Sequence, residues 1–239
     1  MDDRQDNKPP LIPESSFEDM RKKATKPYAV AILPCKIGST RLPNKNFLEV
    51  DGYPMMMWSL MKAVCCPHID LICISTDNTE LLQEKVPNIG ASMFDDVILL
   101  QREAVNMHPE TPIFNLVVAA LTTLAAKDAL KRPPTHVVMM QPNVPTIPQE
   151  VINELVAAVV TGPYNVSRHF SVNLDCFDKE WVSGVMTGGC DAYKISALTS
   201  PVHMDSYNYA VITADPEVHD QEGLDRVNSI IEERKKGDE

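Results

Sequence analysis

Short apolar runs alternate with longer amphipathic segments over residues 28–170. Apolar runs bounded by loop residues are typical of buried parallel strands, and they occur at 28–33, 71–75, 97–100 and 136–140. The segments between and after them predict helices at 55–66, from Asn78 through Val86, at 111–130 with Thr111 as N-cap and Pro112 in the first turn, and at 148–160 after Pro148. This alternation predicts an α/β fold with a doubly wound, mostly parallel sheet.

The two ends of the chain have different patterns. Residues 1–27 are polar, charged and proline-containing, which predicts a flexible N-terminal extension before one folded domain over residues 28–239. A further strand is predicted at 164–170, and strand-like pieces recur within the less regular stretch 171–215. A terminal helix is predicted from about Glu222 to Lys236.

Composition narrows the classes of function. The net charge of −11 disfavours nucleic-acid partners, because an acidic surface repels the phosphate backbone. The six cysteines form no CxxC pair and have no histidine cluster beside them, which disfavours a zinc site. We expect a cytoplasmic protein without a membrane span, because the N-terminus is polar and no apolar run approaches the length of a span.

The loop after the first strand holds the clearest chemistry. Ligands of an open parallel sheet bind beyond the carboxyl ends of its strands. Three cations, Lys36, Arg41 and Lys45, fall within ten residues there, together with Gly38 and Ser39. Such a mixture of cations, hydroxyl groups and close backbone suits a triphosphate, although a solvated basic loop would look the same. The loop matches neither the P-loop nor the dinucleotide-binding pattern.

This loop resembles the signature of the CMP-sugar synthetases, the cytidylyltransferases that act on 3-deoxy-octulosonate or on sialic-acid-like nonulosonates. The run Gly38-Ser39-Thr40-Arg41-Leu42-Pro43 and the pair Lys45-Asn46 match it. Further segments similar to the family follow in order over residues 28–160, namely DGYPMMMWSL, ISTDN, LLQRE and VMMQPNVPTIPQEVI.

The resemblance implies a nucleotide-diphospho-sugar-transferase-like fold with a small dimerisation element, and hence a homodimer. It implies transfer of CMP from CTP to an acidic sugar, with release of pyrophosphate and with Mg²⁺ as cofactor. The catalytic cations would be Lys36, Arg41 and Lys45. Nucleotide contacts would come from Leu33, Pro34, Cys35, Gly38, Ser39, Asn46 and Arg102, and Asn46 would also brace the loop. Gln141 would face the sugar, and Arg168 is a candidate for the same role.

Three positions depart from the family pattern. Lys36 replaces an arginine, which keeps the charge but loses bidentate binding. Asn143 stands where the octulosonate enzymes have a metal-binding aspartate, and a neutral amide is the weaker Mg²⁺ ligand. Asp220 is the expected main metal ligand, but its spacing to Leu224 is one residue short, and it could instead cap the terminal helix. Two alternatives therefore stay open: a nucleotidyltransferase for another base or sugar, and a catalytically reduced homologue that binds nucleotide or sugar.

Overall fold

The computed structural model describes residues 26–37, 42–87, 89, 94–102, 113–171, 189–198 and 208–237. Within these ranges the strands are β1 Ala29–Cys35, β2 Glu49–Val50, β3 Tyr53–Pro54, β4 Leu71–Thr76, β5 Val97–Gln101, β6 His136–Met140, β7 Val166–Ser171, β8 Cys190–Lys194 and β9 Asn208–Thr213. The helices are α1 Met55–Val64, α2 Thr79–Lys85, α3 Ile113–Ala126, α4 Gln149–Val160, α5 Ile195–Leu198 and α6 Gln221–Gly237, with a short 3₁₀ helix at Lys45–Phe47. No helix in these ranges combines the length and apolarity needed to cross a bilayer.

Seven of the described strands form one sheet in the order β5-β4-β1-β6-β8-β7-β9. Strands β5, β4, β1 and β6 run parallel to one another. Strand β8 is antiparallel to both of its neighbours, and β9 is again parallel to β7. The predicted α/β fold with a mostly parallel sheet is confirmed, and the reversed β8 is the detail that the strand pattern did not show.

Local signals explain most element boundaries. The Asn78 side chain accepts a hydrogen bond from the Leu81 N–H at 3.0 Å, so Asn78 caps α2 as predicted. Helix α3 ends at Ala126 rather than at residue 130, since Asp128 adopts a left-handed φ of 52° that a helix cannot contain. The predicted cap Thr111, Pro112 and residues 1–25 of the predicted extension lie outside the described residues.

A small hairpin of β2 and β3 is not predicted by the apolar pattern. Asp51 and Gly52 connect its strands with φ values of 53° and 78°. Two successive positive φ values are the requirement of the tight turn for which Asp-Gly is favoured. The hairpin precedes α1 directly and packs with α6 in a separate apolar cluster that includes Val50, Met55, Val218, Leu224, Val227 and Ile231.

Both faces of the sheet are covered, as a doubly wound fold requires. One face packs mainly against α1, α2 and α4 around residues such as Leu60, Leu82 and Leu155. The other packs against α3, with Val117, Leu121 and Leu124 at its centre. Apolar side chains on successive positions of β1 and β6 point to alternate faces, so these central strands are buried on both sides.

The order of the strands around β1 indicates where a ligand would bind. The chain next pairs β4 on one side of β1 and later pairs β6 on the other side. The order of the strands along the chain therefore reverses between β1 and β6. In open α/β sheets this switch in strand order is where ligands bind.

Candidate active site

The loop after β1 is held by two side-chain contacts at its start. The Asn46 amide donates to the Lys36 carbonyl oxygen at 2.7 Å, and the Ile37 N–H donates to Asp77 Oδ1 at 2.8 Å. Asn46 is buried, so its side chain is a fixed brace between the two ends of the loop, as the resemblance implied. Gly38, Ser39 and Arg41 lie outside the described residues.

The second half of this loop is a 3₁₀ helix that begins at Lys45. Asn44 precedes it with a left-handed φ of 54°, and the Phe47 N–H donates to the Asn44 carbonyl at 2.8 Å. Lys45 is half-buried and adjacent to the brace residue Asn46. The fold thus brings Lys36 and Lys45, nine positions apart in sequence, to the two sides of one cross-linked loop.

Three predicted nucleotide contacts lie on β1 itself. The side chains of Leu33 and Cys35 are fully buried in the core, and Pro34 between them is half-buried. The Cys35 thiol donates to Met56 Sδ at 3.5 Å, and burial raises its pKa to about 12. The side chains of Leu33 and Cys35 therefore face the core, which leaves their backbone atoms as the groups that can meet a nucleotide.

Arg102 follows β5 and is almost entirely buried. Its Nε donates to the carbonyl and hydroxyl oxygens of Ser75, both at 3.1 Å, and its Nη2 donates to the same carbonyl at 2.8 Å. Burial lowers its pKa, and the nearby Asp77 carboxylate opposes that shift. Arg102 therefore holds the carboxyl end of β4 in place. Its positive charge lies near Asp77, the residue that accepts a hydrogen bond from the loop after β1.

Gln141 and Asn143 lie in the loop that follows β6. The Gln141 N–H donates to the Gly189 carbonyl at 2.8 Å and its own carbonyl accepts from the Ser59 hydroxyl at 3.2 Å. Asn143 is buried, its carbonyl accepts from the Val218 N–H at 2.7 Å, and its amide donates to Glu217 Oε1. These contacts tie the loop after β6 to the residue before β8, to α1 and to the segment before α6.

Asp220 behaves as a helix cap in the structure. Its Oδ1 accepts from the Gly223 N–H at 2.9 Å, and its carbonyl accepts from the Leu224 N–H at 3.2 Å. The side chain is exposed at the start of α6. This is the structural role that the sequence left open beside the metal role, and it accounts for the position of Asp220 without a ligand.

Arg168 lies on β7, two strands away from β6. Its register partner on β8 is Asp191, which in turn faces Met139 on β6. The Arg168 guanidinium lies 6.0 Å from the centre of the Tyr193 ring, and the Tyr193 hydroxyl donates to Asp191 Oδ2 at 3.1 Å. Burial raises the pKa of Asp191, whereas Tyr193 and Arg168 oppose the shift. Arg168, Asp191 and Tyr193 thus form a polar group. In the register of the strands, Arg168 is level with Met139, two residues before Gln141.

Sequence reasoning missed Glu217 and Asp191. Nothing in the local pattern of Glu217 marks it, since only the pairing of Val218 with Asn143 brings it to the crevice. Asp191 was visible as part of a strand-like piece, but its neighbour Arg168 is 23 positions away and the pairing of β7 with β8 is tertiary information. Among the described residues, no three histidine, cysteine, aspartate or glutamate side chains converge in a way that could hold a metal ion.

Comparison with known proteins supports the resemblance. Residues 30–105, which include the loop after β1 and extend past Arg102, match the family model described as cytidylyltransferase. The chain is 31% identical over 135 residues to the 3-deoxy-manno-octulosonate cytidylyltransferase of Psychrobacter arcticus, covering 56% of this chain and 44% of that protein. It is 28% identical over 165 residues to the enzyme of the same name from Acidobacterium capsulatum, covering 63% of this chain and 65% of that protein. The matches to P. arcticus and P. cryohalolentis span about half the length of those relatives, at 44% and 49%.

Solved structures agree on the fold. A CMP:2-keto-3-deoxy-manno-octonic acid synthetase complexed with CTP superposes with a TM-score of 0.58 at 14% identity, over 87% of this chain and 99% of that one. A 4-diphosphocytidyl-2C-methyl-D-erythritol synthase from Anaerococcus prevotii superposes with a TM-score of 0.58 at 13% identity, over 86% and 96%. Identities this low establish the shared fold alone. The family match confirms the resemblance that the loop motif suggested, because residues 30–105 carry the sequence pattern of the cytidylyltransferases.

Proposed function

We propose that this protein transfers CMP from CTP to the anomeric hydroxyl of an acidic sugar, of the 3-deoxy-octulosonate or sialic-acid-like class, and releases pyrophosphate. The observation that carries the proposal is the cytidylyltransferase match over residues 30–105, in which the loop motif follows β1, the strand at the switch in strand order. The relatives named for the 3-deoxy-manno-octulosonate reaction support the choice of base and sugar.

This reaction requires that the two substrates be positioned for attack and that the negative charge of the triphosphate be neutralised. The sugar hydroxyl attacks the α-phosphorus in line, its proton is released, and the bond from the α-phosphorus to the pyrophosphate oxygen breaks. Lys36, Arg41 and Lys45 would balance the charge of the triphosphate, while backbone N–H groups around Gly38 and Ser39 would approach its oxygens. Asn46 and Asp77 would keep this loop in shape before the nucleotide arrives, since both already hold its backbone.

Residues of the loop after β6 and of β7 would take the sugar. Gln141 directly follows β6, which pairs with β1, and Arg168 on β7 would pair with the sugar carboxylate. The base would lie against the backbone of Leu33, Pro34 and Cys35, with Arg102 beneath it. These placements are part of the proposal.

A divalent cation, Mg²⁺, would supply charge neutralisation on the triphosphate and the leaving pyrophosphate. The residues present fit such an ion, because the loop after β6 carries the buried Asn143 with a side-chain oxygen that has no hydrogen-bond partner among the described residues. The assignment of the protein ligands to Asn143 and Asp220 stays a prediction. We further propose that the enzyme acts in the cytoplasm.

A pyrophosphate-release screen tests the function. The protein is incubated with Mg²⁺ and each of the four ribonucleoside triphosphates, against a panel of acidic sugars and their neutral counterparts. Release that requires both CTP and an acidic sugar is the expected result. Release with a different triphosphate would move the proposal to another base, and nucleotide binding without any release would identify a homologue that has lost catalysis.

A further inference from the structure

We infer that Arg234, near the end of α6, is a positioning residue for the sugar, because it holds the loop after β6 through the Thr146 carbonyl. This loop comprises residues 141–147 and begins with Gln141, the residue proposed to face the sugar. The inference rests on the proposed function for the role of Gln141. Its own evidence is the set of contacts that hold the loop in place.

The loop after β6 is buried but poor in hydrogen-bond donors of its own. Residues 142–147 are all buried. Pro142 and Pro145 lie within the loop and Pro148 follows it, and a proline has no backbone N–H to donate. Buried carbonyl oxygens nevertheless need partners. Donors from other elements therefore have to hold this loop.

Helix α1 supplies two of these donors. The Ser59 hydroxyl donates to the Gln141 carbonyl at 3.2 Å, and the Lys62 ammonium donates to the Pro145 carbonyl. The Lys62 stem is fixed in turn, since its ammonium lies 5.6 Å from the centre of the Trp58 ring. Both ends of the loop are thus joined to α1.

Arg234 supplies a further donor from α6. Its Nη1 donates to the Thr146 carbonyl at 2.9 Å, and its Nη2 donates to Asp215 Oδ1 at 3.1 Å. A guanidinium that binds two fixed acceptors at once has a defined orientation. Asp215 is only 5% exposed, and its negative charge acts on Lys62 as well. The carboxylate thereby balances the two cations that bind the consecutive carbonyls of Pro145 and Thr146.

Helix α6 is also linked to the loop after β1. Leu42 of that loop and Leu48, just after its 3₁₀ helix, pack against the apolar cluster that contains Leu224 and Val227 of α6. One helix is therefore connected to the proposed nucleotide loop through apolar packing and to the proposed sugar loop through Arg234. Loss of the Arg234 contact should loosen the sugar loop and leave the nucleotide loop in place.

Hydrogen exchange followed by mass spectrometry, without any substrate, tests whether Arg234 holds the loop. Exchange in residues 141–147 is compared with exchange in the buried strand β1, which reports global unfolding. We expect Arg234→Met to speed exchange in the loop relative to β1 by roughly tenfold or more. The matched control is Lys235→Met, which removes the next cation of α6, an exposed partner of Asp51. Unchanged relative exchange in Arg234→Met, or equal acceleration in Lys235→Met, overturns the inference.

A double variant separates positioning from stability. Arg234→Met alone leaves the buried Asp215 carboxylate without its arginine, which costs stability by itself. Asp215→Asn combined with Arg234→Met removes both charges, so this protein should be more stable than Arg234→Met. Its loop should still exchange faster than in wild type relative to β1, because the Thr146 carbonyl has lost its donor. Relative exchange equal to that of wild type would contradict the proposed role.

Steady-state kinetics of the double variant test the consequence for the sugar. Pyrophosphate release is measured with CTP and with 3-deoxy-manno-octulosonate as acceptor. We expect the KM for this sugar to rise roughly tenfold, while the KM for CTP stays within about twofold of wild type. An equal rise in both KM values would overturn the assignment of Arg234 to the sugar. Absence of release with the wild-type protein would count against the proposed function alone, since the exchange measurement needs no turnover.

Discussion

At the scale of single residues, the site combines charged groups that are fixed by unlike means. Lys36 and Lys45 belong to a loop whose two ends are joined by the Asn46 hydrogen bond. Arg102 is instead buried and donates hydrogen bonds to Ser75. A backbone that is already held in place loses less conformational freedom when the loop binds a triphosphate.

Arg41→Ala and Lys45→Ala should each weaken CTP binding by about 1.5–3 kcal/mol, roughly ten- to a hundredfold, without unfolding the protein. The reason is loss of a charge-assisted contact to phosphate. Isothermal titration with CTP measures the effect. Lys127→Ala, an exposed lysine just after the far end of α3, is the matched control and should bind normally. CTP affinity equal to wild type in either loop variant would exclude that residue from the site.

Lys62 should make the protein more stable as the pH rises from about 8 to 10.5. Its ammonium group donates to the Pro145 carbonyl and lies 5.6 Å from the Trp58 ring centre. Burial lowers its pKa from 10.5 to about 8, with Asp215 opposing the shift. Between these two values the unfolded chain binds a proton that the folded chain has released, so stability increases with pH through this window.

Urea denaturation of wild type and Lys62→Met at several pH values isolates this effect. The difference in unfolding free energy should change in favour of wild type by on the order of 2 kcal/mol between pH 8 and 10.5. Below pH 8 the difference should stay constant. If the difference in unfolding free energy did not vary with pH between 8 and 10.5, the pKa of Lys62 would not be lowered in the folded protein.

At the scale of elements, the helices and strands follow from local signals, and their ends follow from caps and turns. Prolines, Asn78 and apolar periodicity place α2, α4 and β6 within one or two residues of their predicted bounds. The hairpin of β2 and β3 was not predicted because two-residue strands have too few positions to show an alternating pattern. Helix α6 was predicted, but its role was not. It packs against the hairpin, and its Arg234 ties it to Asp215.

Asp220→Ala should destabilise the protein by about 0.5–2 kcal/mol, because the first turn of α6 loses its cap at Gly223. Asp220→Asn should leave stability nearly unchanged, since asparagine caps as well as aspartate does. Chemical denaturation followed by circular dichroism measures both. Equal stability of all three proteins would mean that the contact with Gly223 contributes nothing to α6.

At the scale of the whole molecule, one seven-stranded sheet joins residues that lie far apart in the chain. Strand β9 is its last described strand and pairs with β7, and Ile212 on it is 66% exposed. Residues 1–27 were predicted to add a flexible extension, and the homodimer was predicted from family resemblance.

Removal of residues 1–24 should leave melting temperature and pyrophosphate release close to those of the full chain. The segment has too few apolar residues for burial to offset the entropy lost on ordering. Differential scanning calorimetry and the release assay compare the two chains. A large fall in melting temperature would show that the segment docks on the domain.

The protein should be a homodimer in solution, with residues 165–208 contributing to the contact. Multi-angle light scattering at micromolar concentration should give twice the chain mass of 26.6 kDa. A mass equal to one chain would remove the prediction and with it any role for a partner copy in the site.

The sequence alone predicts the main strands and helices between residues 28 and 170, the burial of β1 and β6, and the loop motif that led to the cytidylyltransferases. These features are local, since each depends on residues within one turn, one strand or one loop. The family match over residues 30–105 agrees with that range, because the motif and its supporting segments lie close together there.

Contacts between residues that are distant in the chain become visible only in the folded structure. The reversal of β8 brings Asp191 beside Arg168, and pairing of Val218 with Asn143 brings Glu217 to the crevice while Asp220 caps α6. Neither contact has a sequence signature, because Glu217 and Asn143 are 74 positions apart and the hydrogen bonds that join their segments are made by backbone groups common to all residues. The contact between Asn143 and Glu217 therefore could not be predicted from the spacing of residues along the chain.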